Sequence, residues 1–93
     1  MESTTKIQTE KAPRYMKALV NHFSRKADAA YEGDSGYIEF AFGRCEIQTD
    51  AETLSFTLNS PGQEELDRLK VVVDKHLARF SQNEIAGLEW QAQ

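Results

Sequence analysis

Hydrophobic residues recur along this chain at two periods, and the changes of period mark its elements. From Thr5 to Thr9 the chain alternates, with the β-branched Thr5, Ile7 and Thr9 on one face, which predicts a first strand. Ala12-Pro13 then opens a helix, with proline in the first turn, where its missing N–H costs nothing. On a wheel of about 100° per residue, Met16, Leu19, Val20, Phe23 and Ala27 share one face. Arg14, Lys17, Asn21, Ser24 and Arg25 share the opposite one, and Tyr15, His22 and Lys26 line up along a boundary between them. The late positive charges suit a C-terminal dipole, so the helix is expected to end near Lys26.

Period two returns after this helix. Ala29 to Glu32 gives a weak strand signal, and Gly33-Asp34-Ser35-Gly36 is a turn cluster. Tyr37 to Phe42 is the strongest strand, with Ile38, Phe40 and Phe42 on one face. Gly43-Arg44 fits a two-residue hairpin turn with glycine first. Cys45, Ile47 and Thr49 alternate on the returning strand, Asp50-Ala51-Glu52 turns the chain, and Leu54, Phe56 and Leu58 mark another strand. The opposite face of these strands carries Tyr37, Glu39, Glu46, Gln48, Ser55 and Thr57, a polar surface that suits solvent or pairing with another chain.

Ser60-Pro61-Gly62-Gln63 reads as a helix start, with Ser60 as N-cap and Gln63 completing a capping box. The second helix should run to about Gln82, burying Leu66, Leu69, Val73, Leu77 and Phe80. Leu88-Glu89-Trp90 is expected to form a final short strand or a docked tail. The order strand, helix, strands, helix predicts an α+β fold. It would be a two-layer sandwich in which an antiparallel sheet of four to six strands carries two helices on one face. Residues 1–93 make one domain.

Charge changes this picture more than composition does. Between Lys6 and Lys26 the chain carries six of its eleven basic residues and one acid, Glu10, so this window is net +5 while the whole chain is −4. Such a segregated field can attract an anion, an acidic partner or the protein's own acidic elements. The single cysteine, Cys45, excludes an intramolecular disulfide and suits a reducing cytosol, so a cytoplasmic protein is expected. No apolar run is long enough to span a bilayer, and the first residues lack the h-region of a secretory signal. No membrane partner is therefore expected.

Several strings, taken in order, resemble one bacterial family. They are Ala12-Pro13-Arg14-Tyr15, Asn21-His22-Phe23-Ser24-Arg25-Lys26, Gly36-Tyr37-Ile38-Glu39-Phe40-Ala41-Phe42-Gly43, Val72 to Phe80, and Leu88-Glu89-Trp90. Their succession is similar to domain of unknown function family 2218, whose members also occur joined to siderophore-interacting flavin reductases. The resemblance implies a β-α-β-β-β-β-α sandwich similar to half of the TATA-binding protein. It also implies, by association, a role near iron–siderophore utilisation and a siderophore-interacting reductase as partner. The chain departs from the family pattern at Ser24-Arg25, where members commonly carry a second histidine or a similar polar residue.

The candidate binding residues are Arg14, Tyr15, His22, Arg25, Lys26, His76 and Arg79. The Tyr15, His22, Lys26 boundary, with Arg14 and Arg25 beside it, can serve an anionic ligand, an acidic partner, or a small-molecule or enzymatic pocket that includes His76. The same residue types also settle at the edge of a core, where an apolar body packs and a polar tip stays wet. His76 and Arg79 share a face of the second helix, and His22 and His76 would meet if the two helices lie side by side. With Cys45 they form the one metal constellation that can be assembled. It lacks paired-ligand spacing on any one element and the four ligands of structural zinc, so neither a metal nor another cofactor is expected. No phosphate loop, nucleophile elbow or catalytic dyad is present, which leaves a non-enzymatic accessory domain as the leading expectation. Nucleic acid is disfavoured by the acidic remainder, and either a monomer or a homodimer fits the exposed sheet face.

Overall fold

In a computed structural model, residues 1–82, 84–85 and 88–92 are described. The elements are β1 (Glu2–Gln8), α1 (Ala12–Phe23), β2 (Asp28–Glu32), β3 (Ser35–Phe40), β4 (Gly43–Thr49), β5 (Thr53–Asn59), α2 (Gln63–Phe80) and β6 (Gln91–Ala92). All neighbouring strands pair antiparallel, in the order β2-β3-β4-β5-β1-β6. The chain is therefore an α+β sandwich with the predicted order of elements. Among the described residues no helix is long and apolar enough to cross a membrane.

The alternation read from the sequence decides which sheet face is covered. Ile38, Cys45, Ile47, Leu54, Phe56 and Leu58 are all buried, and they meet Met16, Leu19 and Val20 of α1 and Leu66, Leu69, Val73 and Leu77 of α2. The opposite face is held by its own polar contacts. The Tyr37 hydroxyl donates to Asp28 Oδ1 at 2.9 Å, and Ser35 Oγ donates to Gln48 Oε1 at 2.8 Å. The Arg44 guanidinium lies 4.6 Å from the Tyr37 ring centre and pairs with Glu39 and Glu46. Exposed pairs of this kind contribute little stability each, but they give the face a solvated character.

Both helices differ at their ends from the sequence expectation. The first stops at Phe23, three residues early, because the Ser24 hydroxyl donates to the Asn21 carbonyl and the next N–H groups close back on Phe23. The second starts from Gly62, not Ser60, and the capping box does not form. The sheet explains this. The Ser60 backbone N–H donates to the Met1 carbonyl and the Ser60 carbonyl accepts from the Met1 amine, each at 2.9 Å, so Ser60 extends the β1–β5 ladder. Its hydroxyl donates to the Gly62 carbonyl and the Gln63 amide to Asp67. The far end of α2 stops at Phe80, two residues early. Gln82 there is left-handed, at φ 55°, and Ser81 Oγ accepts from the Ile85 N–H.

The β3–β4 hairpin turns at Ala41-Phe42 and not at Gly43-Arg44, since Phe40 pairs with Gly43 and Glu39 with Arg44. Gly43 is required for another reason. It sits at φ 157°, and a Cβ there would lie 2.6 Å from Leu69 Cδ1 and 2.7 Å from the Asn59 carbonyl. The start of α2 therefore packs directly on this strand. The last strand is two to three residues later than expected, at Gln91–Ala92. Hydroxyls at two buried positions of β1 secure it: Ser3 donates to the Gln91 carbonyl at 2.9 Å and Thr5 to the Glu89 carbonyl at 2.7 Å. Trp90 stays half-buried, 6.3 Å from Phe56 between ring centres.

Gly43→Ala forces backbone or Leu69 to move, and overpacking of this kind costs about 1–3 kcal/mol. Urea unfolding is expected to show that loss with an unchanged m-value, whereas unaltered stability would mean that α2 does not rest on Gly43.

Candidate functional site

The last turn of α1 and the last two turns of α2 converge. His22 and Phe23 are consecutive at the end of α1, while His76 and Phe80 lie four residues apart on one side of α2. The His22 and His76 ring centres are 4.9 Å apart, Phe23 lies 4.9 Å from His22 and 4.8 Å from His76, and Phe80 lies 5.6 Å from His22. Phe40 and the hairpin-turn residue Phe42 continue this wall, with the Arg68 guanidinium 4.6 Å from the Phe42 ring centre. His22 is exposed and His76 half-buried, so the pair opens to solvent on one side and rests on phenylalanine on the other.

The tautomer of His76 follows from its partner. Its Nδ1 lies 2.8 Å from the Val72 carbonyl, which can only accept, so Nδ1 carries the proton and the neutral ring keeps its lone pair on Nε2. The pKa of His22 is lowered, first by desolvation and then by the charges of His76, Lys26, Arg79 and Arg25. Every charged group that acts on it is basic. Arg25, Lys26 and Arg79 are exposed and form no ion pair with a described residue. This end of the helix layer is a local positive field around the two imidazoles.

The seven candidate residues do not form one site. His22, Arg25, Lys26, His76 and Arg79 come together. Tyr15 does not join them: it is 4 % exposed and its hydroxyl points at Glu84 Oε2, 3.5 Å away, where Lys11 Nζ also approaches at 3.4 Å. The wheel projects Tyr15 and His22 onto one line but hides their separation, about 10 Å along the axis at 1.5 Å per residue. Arg14 lies on the exposed face in the first turn, away from the paired rings. Lys26 lies in the turn beyond the helix and not on it.

The metal constellation fails at Cys45. That thiol is fully buried opposite Ile38 and Leu58, and burial pushes its pKa up to about 12. Among the described residues no three His, Cys, Asp or Glu side chains cluster to hold a metal. An inert thiol at neutral pH also excludes Cys45 as a nucleophile. The aromatic wall of Phe23, Phe40, Phe42 and Phe80 was read from the sequence only as core stripe. The signal that places it at a site is the interleaving of phenylalanine with histidine at both helix ends.

A histidine whose folded pKa lies below its ordinary 6.5 binds fewer protons folded than unfolded. Stability attributable to His22 is therefore complete above 6.5 and falls as the pH drops from there toward the folded value. Chemical denaturation across this range should show a shallower acid loss in His22→Gln than in the parent chain, and equal slopes would remove the desolvated imidazole from the account. Cys45 is expected to resist thiol reagents at mildly alkaline pH until the chain is unfolded; prompt labelling of the native protein would contradict its buried placement.

The comparisons with known proteins agree with this architecture. No curated protein matches the chain. A solved structure, the NMR structure of PA4090 from Pseudomonas aeruginosa, is similar at 31 % identity and a TM-score of 0.82, over 97 % of this chain and 94 % of that one. The family described as an uncharacterized protein conserved in bacteria, DUF2218, matches residues 4–91, nearly the whole chain, and the chain belongs to it.

Proposed function

We propose that this chain is a non-enzymatic binding module that recognises an anionic group at the joined ends of α1 and α2. One observation carries the reading. Exposed Arg25 and Lys26 from one helix end and His76 and exposed Arg79 from the other gather around His22, with the two histidine ring centres 4.9 Å apart. Three of these side chains are cations without an ion pair to a described residue, so their hydrogen-bonding capacity is open to a carboxylate or another oxyanion. The rest of the basic segment is engaged or set apart: Lys11 approaches Glu84, and Lys17 lies 5.8 Å from the Tyr31 ring centre. The inert Cys45 thiol supports a binding role over covalent catalysis.

The resemblance to domains joined to siderophore-interacting flavin reductases supplies a setting for this reading. The anion would then be a carboxylate-bearing iron chelate or an acidic face of such a reductase. The aromatic floor suits either, since it lowers the local dielectric beneath the charges.

Citrate, a ferric carboxylate siderophore and a siderophore-interacting reductase are the probes, followed by NMR of the labelled chain at low salt. Shifts confined to His22, Arg25, Lys26, His76 and Arg79 are expected, with affinity falling as salt rises. Arg79→Ala should cost about 1 kcal/mol, roughly fivefold in affinity. Shifts confined to the Arg14 face, or none with any probe, would overturn the proposal.

A further inference from the structure

The anion reading uses the cations around the histidine pair and leaves the imidazoles themselves without a role. Their geometry supplies one. At a metal–nitrogen distance of about 2.0–2.1 Å, with each ring centre about 1.1 Å beyond its nitrogen, two imidazoles sharing a metal at about 90–110° have centres about 4.5–5.2 Å apart. The His22 and His76 centres are 4.9 Å apart, with the rings tilted by 51°. We propose that His22 and His76 form a two-imidazole site for a divalent first-row metal, Cu²⁺ ahead of Ni²⁺ and Zn²⁺, whose remaining positions are filled by water or by an oxyanion.

The surroundings support this in three ways. The Val72 carbonyl takes the Nδ1 proton of His76 at 2.8 Å, the outer contact that commonly orients a metal-bound imidazole and leaves Nε2 as the ligand atom. His22 is exposed and makes no hydrogen bond through its ring to a described residue, so it can turn about χ2 to aim a nitrogen at the same point. Phe23 and Phe80 wall the inner side, which limits solvent to the outer one. The order of metals follows from nitrogen donors with no thiolate, since Cys45 lies buried in the sheet. Two protein ligands make an exchangeable site, in contrast to the closed four-ligand sites of structural zinc. No bond is made or broken and no electron moves; the metal binds by displacing water.

The proposal rests on the ring pair and not on the anion reading, and the two respond oppositely to charge. Arg25, Lys26 and Arg79 attract an anion and repel a dication. Screening by salt should therefore weaken anion binding and strengthen metal binding. Arg79→Ala should shift the two affinities in the same opposed directions.

The experiment is a titration of the full chain with Cu²⁺ alone at neutral pH, read by calorimetry and by electron paramagnetic resonance, beside a citrate titration in a separate sample. One copper with two nitrogen donors is expected, with His22→Gln and His76→Gln each weakening it about tenfold or more. His22 is exposed, so its variant tests the site even if the His76 variant unfolds. Copper bound equally well by His22→Gln, copper held by the N-terminal amine, or no copper bound at all overturns the metal site. Citrate binding that survives any of these leaves the anion reading standing, and its loss alone leaves the metal site standing.

Discussion

A six-stranded antiparallel sheet with one apolar face must have that face covered, and everything else in this protein follows from how two helices do it. Strand alternation places Ile38, Cys45, Ile47, Leu54, Phe56 and Leu58 on the covered side. Two amphipathic helices each bring one buried stripe to them. The helices lie together on the sheet, which joins the end of α1 to the last turns of α2. Contact between Gly43 and Leu69 anchors the start of α2 to the sheet at a position that tolerates no side chain.

That joining produces the chemistry. Each helix ends in basic residues, as the dipole favours, and the two ends coincide. Charges that are ordinary on separate helices become a shared positive field over His22 and His76. The phenylalanines beneath them are the outer margin of the same core, so the site is built where the core runs out. The opposite sheet face, although broad and open, spends its charges on itself through Arg44, Glu39, Glu46, Tyr37 and Asp28.

The strands and helix stripes were legible because they depend on periodicity, which burial on one face enforces locally. Helix ends and turns were not. Ser60 looked like an N-cap because its spacing to Gln63 satisfies the local pattern, yet the pairing of β1 with β5 claims its backbone first. Gly43 looked like a turn residue because glycine marks hairpins, yet its need for no side chain comes from a helix that starts some twenty residues later in the sequence. In both cases a contact distant in sequence overrode a correct local rule.

The candidate site divides along the same line. The sequence by itself determined the two-layer architecture, the family and the residue types at each helix end, since these follow from period, succession and charge along one dimension. It also showed that His22 and His76 could meet. Only the tertiary structure decided that they do, that Tyr15 turns instead toward Glu84, and that Cys45 is sealed in the sheet. The reason is geometric. A helical wheel preserves angle and discards height, so it aligned Tyr15 with His22, and it holds no information about which turn of a second helix will lie alongside.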